Sequence, residues 1–277
     1  MVSRHGWVVL VFMCWACDFN RELETPYIEP HDQYFVECYM RPDELYNLTA
    51  TEVSPIFEEY ILDYSLDFDV YIIDQDTVEL RQSLFVEPET GYIYNYGSGR
   101  RLPENIAGVS MLVISPARDT IRAYSRVPEQ ILLDTAFLIH NQVNISFYTS
   151  EDSEDNYYIY YLNYDVLNHS GAQIKKSEVA YLDFHDYSER VLKQSSLSGD
   201  SLDYADEVQV TLMRVTRENF LYQRSLQDAK NASKDNVTYP APLEGNIENG
   251  VGIFTCYTED IRRLVAHENV SGNSLPF

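Results

Sequence analysis

Basic residues are scarce in this chain. Lys and Arg number 20 against 44 Asp and Glu, for a formal net charge of −24. A field of that sign repels phosphate, which makes nucleic acid and anionic lipid poor partners, since both are bound through Lys and Arg. Histidine is scarcer still. His31, His140, His169, His185 and His267 never pair at a metal-ligand spacing such as i and i+4 on a helix, so each reads as a surface or structural residue. Nucleophile signatures are missing too: no serine sits in a Gly-x-Ser-x-Gly turn, and Ser98 in Gly97-Ser98-Gly99 lacks the flanking spacing. The segment Gly245 to Gly252 has no Lys after its second glycine and leads into no helix, which makes it a glycine turn feeding a strand and not a phosphate loop. No cofactor or metal is implied.

Long hydrophobic runs are also absent apart from one. Arg4 and His5 precede an apolar stretch from Gly6 to Ala16 that stops at Cys17. At about eleven residues it is too short to cross a hydrocarbon core of roughly 30 Å. The order of basic residues, apolar run, small residue and cysteine is that of a bacterial lipoprotein signal, and it predicts removal of residues 1–16 and lipidation of Cys17. Cys14 and Trp15 depart from the usual Leu and small residue, so an ordinary secretory signal and a buried strand stay open as alternatives. Of the four cysteines, only Cys38 and Cys256 then remain to form a disulfide. Each lies in an alternating strand, where a buried free thiol is the commoner outcome.

Tyrosine is what the chain does have, 23 of them, many in alternating runs with Val and Ile. Aromatic and β-branched side chains pack well on a pleated, half-buried surface, so the fold is expected to be mainly β. Residues 17–30 read as a polar tether. Strand candidates follow over 34–40, 46–53, 68–74, 77–86, 109–115 and 120–127, and in the first of them Val36, Cys38 and Met40 share one face. Turn signals at Glu89-Thr90-Gly91 and Gly97-Ser98-Gly99 separate them. This spacing suits an immunoglobulin-like β-sandwich over 31–128. A boundary at Val127-Pro128-Glu129 opens a second β-rich domain over 129–268, with strands at 131–139, 142–149, 157–164, 178–184, 207–214 and 252–257 and a tail at 269–277. Ser195 to Asp203 reads as a loop. One helix is expected from Thr216, its cap, to Asn231, with Tyr222, Leu226 and Ala229 at spacings of four and three.

Laid out in this way, the chain resembles a family of Bacteroidota surface lipoproteins catalogued as domain of unknown function 4249. The resemblance is carried by Tyr34-Phe35-Val36-Glu37-Cys38, Phe68-Asp69-Val70 with Gly91-Tyr92, Thr120-Ile121-Arg122-Ala123 to Val127-Pro128, Asn156-Tyr157-Tyr158, and most specifically Gly245-Asn246-Ile247-Glu248-Asn249-Gly250-Val251-Gly252-Ile253-Phe254. It implies an outer-membrane lipoprotein similar in setting to those that partner TonB-dependent transporters. Asp18, Glu22 and Glu24 after Cys17 resemble the acidic signal that sends such proteins to the outer face. Asp76-Thr77-Val78, Asp119-Thr120-Ile121, Asp134-Thr135-Ala136 and Asp200-Ser201-Leu202 resemble the O-glycosylation sequon of the same phylum, which marks Thr77, Thr120, Thr135 and Ser201 as candidate sites. The family carries no established catalytic residues.

Three functions are compatible with these features. The first is a non-enzymatic, surface-exposed binding partner of a TonB-dependent transporter, for which Tyr92, Tyr94 and Tyr96, alternating along one strand, are the candidate ligand-binding residues, with core packing as their other reading. A carboxylate-dependent hydrolase of surface polymers is the second. Carboxylates are so numerous here that a pair of them is no signal, because a glycosidase sets its two acids by distance in space. The third is a structural or adhesive envelope protein. The acidic run Glu151, Asp152, Glu154 and Asp155 lacks the glycine and distal glutamate of a calcium loop and is expected to be a solvated loop.

Overall fold

The computed structural model describes residues 34–53, 67–87, 91–167, 171–234 and 242–265. Cys17, the leader, the tether and the tail lie outside them, as do His31, His169 and His267.

In the first half the strands are β1 (Tyr34–Met40), β2 (Leu45–Glu52), β3 (Asp69–Ile73), β4 (Thr77–Val86), β5 (Ile93–Arg101), β6 (Gly108–Ile114) and β7 (Thr120–Arg126). Period-2 alternation decides which way they face. Val36, Cys38 and Met40 of β1 point inward with Tyr46 and Leu48 of β2, while Glu37 and Tyr39 point the other way. Strands β1, β2 and β5 form one layer; β4, β3, β6 and β7 form the other. Between them lie Val70, Ile72, Val113 and Ile121, each fully buried and worth about 1.5–3 kcal/mol relative to exposure. Strand β4 belongs to both layers. Val78 and Leu80 pair with β3, and from Arg81 onward the strand pairs with β5, its register slipping between Gln82 and Phe85.

The second half repeats this plan. Strands β8 (Leu133–Ile139), β9 (Gln142–Tyr148) and β12 (Leu192–Ser198) form a three-stranded layer, and β10 (Tyr157–Leu167), β11 (Gln173–Asp183), β13 (Glu207–Val215) and β14 (Val251–Val265) form the facing one in the order β11-β10-β13-β14. Phe147, Tyr158, Tyr160, Leu162, Val210 and Leu212 fill the space between. Both halves are therefore sandwiches of immunoglobulin-like, three-plus-four construction, and the described residues are mainly β with one long helix. That helix, α1 (Arg217–Lys234), connects β13 to β14. Thr216 caps it through its hydroxyl, which accepts the Asn219 N–H at 3.3 Å, and Phe220 and Leu221 press onto the face of β10 and β13 opposite the second core.

Strand β14 departs from the sequence reading, which gave it only to the second domain over 252–257. It runs to Val265 along β13, antiparallel, and its first residues run parallel to β1, with Phe35 opposite Val251 and Met40 opposite Cys256. Gly252 explains how the parallel pair begins. Its φ of +121° is in the region open to glycine, and a Cβ there would lie 2.0 Å from the Val36 carbonyl oxygen. The neighbouring asparagines tie the same segment to β7: Asn246 bridges the Tyr124 and Phe254 carbonyls, and Asn249 donates to the Thr120 carbonyl.

Two further expectations are corrected. The Ser-rich stretch from residue 195 begins in an edge strand, because Leu192 to Ser198 pair residue by residue with β9 and small hydroxyl side chains suit a solvated edge. Gly97-Ser98-Gly99 is no turn either; it lies inside β5, where Gly97 sits against Asn47 and Ser83. Cys38 and Cys256 are free and buried. The register sets Cys38 opposite Phe254, not opposite Cys256, and the Cys38 thiol donates to the Asn47 carbonyl at 3.1 Å.

Candidate ligand-binding site

Because β14 joins the two sandwiches edge to edge, the outer face of β1 continues onto the outer faces of β14, β13, β10 and β11. That outer face carries Glu37 and Tyr39 on β1 with Arg41 just past its end, Tyr257 and Glu259 on β14, Tyr161 on β10 and Tyr181 on β11. Helix α1 adds Tyr222 and Gln223 from one side. From the other, the β4–β5 hairpin arches over the sheet and lays the Tyr92 ring on Tyr39, with centroids 5.3 Å apart and planes 26° from parallel. Asn95 makes that arch possible. Its side-chain amide donates to the Ala50 carbonyl and accepts the Ala50 N–H, so it satisfies β2 where the β5 backbone turns away.

A hydrogen-bonded chain crosses the recess. Gln223 donates to the Tyr39 hydroxyl at 2.9 Å, Tyr39 donates to Glu37 Oε1 at 2.8 Å, and Tyr181 donates to the Gln223 carbonyl at 3.2 Å. Burial pushes the Glu37 carboxyl above its ordinary value, against the opposing pull of the Tyr39 hydroxyl and of Lys230. Burial likewise raises the hydroxyls of Tyr39, Tyr92, Tyr161 and Tyr222, and several of these rings sense one another and Glu37. Tyr257 is pushed up to about 12, mainly by burial, with Arg41 acting in the other direction. The recess thus offers neutral phenols as donors and π faces, with carboxylates as its anionic groups. Arg41, beside it, is held by Glu44 at 2.7 Å and by Glu259. A polar cleft of about 370 Å³ opens next to Arg41, lined also by Asp43, Arg101, Gln130 and Asp260.

The tyrosines singled out by sequence are separated by this geometry. Tyr96 drops into the first core, where its hydroxyl accepts the Phe68 N–H at 3.0 Å, and Tyr94 is buried against Phe85. Only Tyr92 stays exposed, at 37%. As an open ligand-binding row the three are therefore corrected: Tyr94 and Tyr96 are buried, and the register of β4 against β5 slips between Gln82 and Phe85, opposite Asn95. What sequence reasoning missed are Glu37, Tyr39, Tyr161, Tyr181, Tyr222 and Tyr257. Their signal was the polar half of each alternating strand, set aside in favour of the apolar half.

The acidic run is neither a calcium loop nor merely solvated. Asp152 caps a 3₁₀ turn over Ser153–Asp155, and Arg126 at the end of β7 reaches Asp152 at 2.6 Å, Asp155 at 3.5 Å and Glu154, tying one sandwich to the other. Among the described residues no group of three or more His, Cys, Asp or Glu could hold a metal ion. Of the hydroxyls in the glycosylation-like triplets, Thr77 is exposed at the start of β4 and Thr120 is half-buried. Thr135 is exposed, with its hydroxyl on Ser146 at 2.6 Å, and Ser201 is half-buried at φ 73° before a 3₁₀ turn.

Fold and site define a paired-sandwich β protein with a tyrosine-lined recess where the sandwiches, a helix and a hairpin meet. The chain belongs to the family described as domain of unknown function (DUF4249), whose profile matches residues 20–263. No curated protein matches it. Among solved structures it is similar to a chain of a cytokine receptor complex, 10% identical, over 83% of this chain and 96% of that one, with a TM-score of 0.23, too low to carry an argument.

Proposed function

We propose that this chain is a surface-exposed outer-membrane lipoprotein, anchored through Cys17, that works by binding and not by catalysis, as an accessory partner of a TonB-dependent transporter. The observation that carries the binding reading is the recess around Glu37. Phenol rings from β1, β10, β11, β14, α1 and the β4–β5 hairpin converge on it, and rigid aromatic side chains with a polar tip supply contact area and hydrogen bonds at low entropic cost. The N-terminal order of Arg4, His5, apolar run and Cys17 supports the anchor. Thr77 and Thr135 are the exposed ones among the proposed glycosylation sites.

Affinity purification of a tagged copy from native membranes in mild detergent tests the partnership. The expected result is a TonB-dependent transporter in stoichiometric yield, and Cys17→Ala moving the protein to the soluble fraction. Recovery of the protein alone removes the transporter reading. A purified protein that turns over a surface glycan, with turnover abolished by one Asp or Glu substitution in an intact fold, replaces binding by hydrolysis.

A further inference from the structure

The recess is better suited to one kind of ligand than to others. Glu37 stands half-buried on β1 with Oε1 engaged by the Tyr39 hydroxyl, while Oε2 accepts no hydrogen bond from the described residues. The Tyr92 ring covers Tyr39 with one face and leaves 37% of its surface open. Tyr222, fully buried on α1, and Tyr94 sense the same carboxylate. Arg41, just past the end of β1, is committed to Glu44 and Glu259, so it does not neutralise Glu37; the cation acting on Glu37 is Lys230, an exposed side chain on α1. An aromatic surface draws positive charge through its quadrupole, and a partly desolvated carboxylate beside it adds a charge-assisted acceptor. A net charge of −24 brings cations to such a surface and turns anions away.

We infer that the recess binds a guanidinium or ammonium group, its charge beside the partly exposed Tyr92 and against Oε2 of Glu37. This deepens the binding reading and rests on it for the assignment of the recess as a recognition surface. A free organic cation and a basic side chain of a partner protein share that chemistry.

The test is calorimetric titration of the purified full chain, with near-ultraviolet tyrosine difference absorption recorded alongside. Argininamide and a blocked Gly-Arg-Gly peptide are compared with citrullinamide, which keeps the shape and lacks the charge. Saturable binding of the arginine compounds, a tyrosine difference signal and no response to citrullinamide are expected. Glu37→Gln, which keeps an acceptor for the Tyr39 hydroxyl, should weaken binding at least about tenfold, and Tyr92→Ala should weaken it with loss of the difference signal. Equal affinity for argininamide and peptide identifies a small-molecule cation, whereas a response to the peptide alone identifies a partner's side chain; either outcome supports the site. Indistinguishable responses to argininamide and citrullinamide overturn it, as does undiminished binding by Glu37→Gln with an unchanged thermal melt. The two readings fail separately. Cation binding without a co-purifying transporter leaves this inference and removes the partnership. A transporter retained by a protein that takes up neither arginine compound does the reverse.

Discussion

Arg214 on β13 is the side chain whose removal should cost this fold most per atom. It is 3% exposed and lies with its guanidinium 5.4 Å from the Tyr158 ring centroid. Nη1 donates to the Glu129 and Gln130 carbonyls at 3.1 and 3.4 Å, and Nη2 donates to the Tyr148 carbonyl at 3.1 Å and the Tyr158 hydroxyl at 3.3 Å. Residues 129 and 130 are the link between the sandwiches, so one buried cation holds the link, the end of β9 and the start of β10. In Arg214→Ala the Glu129 carbonyl keeps the Thr258 hydroxyl and the Tyr158 hydroxyl keeps Asn156, but the Tyr148 and Gln130 carbonyls lose this donor. Two part-buried carbonyls each lose a hydrogen bond from a charged donor worth about 1.5–3 kcal/mol, which with the lost packing of the stem gives roughly 3–5 kcal/mol of destabilisation. The ion pair with Glu129, whose side chain is 57% exposed, adds little. Urea unfolding followed by tyrosine fluorescence measures the change. Arg214→Lys should recover only a minor part, because one ammonium cannot serve acceptors on both sides of a planar fork. A loss below about 1 kcal/mol for Arg214→Ala would refute the reasoning.

Gly252→Ala should abolish the parallel pairing of β1 with β14 and leave little folded protein by near-ultraviolet circular dichroism, since the new Cβ would lie 2.0 Å from the Val36 carbonyl oxygen; a native spectrum counts against the φ of +121°. Glu37 holds its proton more tightly folded than unfolded, so its contribution to stability is present below the ordinary glutamate value and is lost as pH rises through the raised one. Stability of Glu37→Gln should therefore fall less than wild type between about pH 4 and 7 in urea unfolding, and identical slopes would reject the burial assigned to Glu37. In protein lacking residues 1–17, Cys38 and Cys256 should stay unreactive to a thiol reagent until denaturation, since burial pushes Cys38 well up and Cys256 up to about 12. Absence of free thiol after unfolding would instead prove a disulfide.

Strands with one apolar face were legible because their alternation is local: Val36, Cys38 and Met40 need no knowledge of the rest of the chain. The helix was legible through Thr216 and the spacing of Tyr222 and Leu226, and it ends three residues later than the polar run at Asn231 suggested. What failed was decided at a distance. Strand β12 reads as a loop because serines at an edge carry no burial signal, and only β9 makes them a strand. The row of Tyr92, Tyr94 and Tyr96 assumes one open face, whereas Tyr94 and Tyr96 are covered and Asn95 gives its side chain to Ala50 where the pairing of β5 with β2 stops. The site itself was the least legible part. Glu37, Tyr161 and Tyr257 are made neighbours by β14 lying between β1 and β13, and no spacing in the sequence encodes that.

The dual allegiance of β14 also fixes an order of events. Tyr34 to Met40 leave the ribosome among the first described residues, yet their outer partner, Val251 to Cys256, is made only after the second sandwich's other strands. The first sandwich thus waits through synthesis of the second with one strand edge bare, and its completion cannot precede synthesis of β14. Late closure is the natural consequence for a protein in which the first and last described strands must meet.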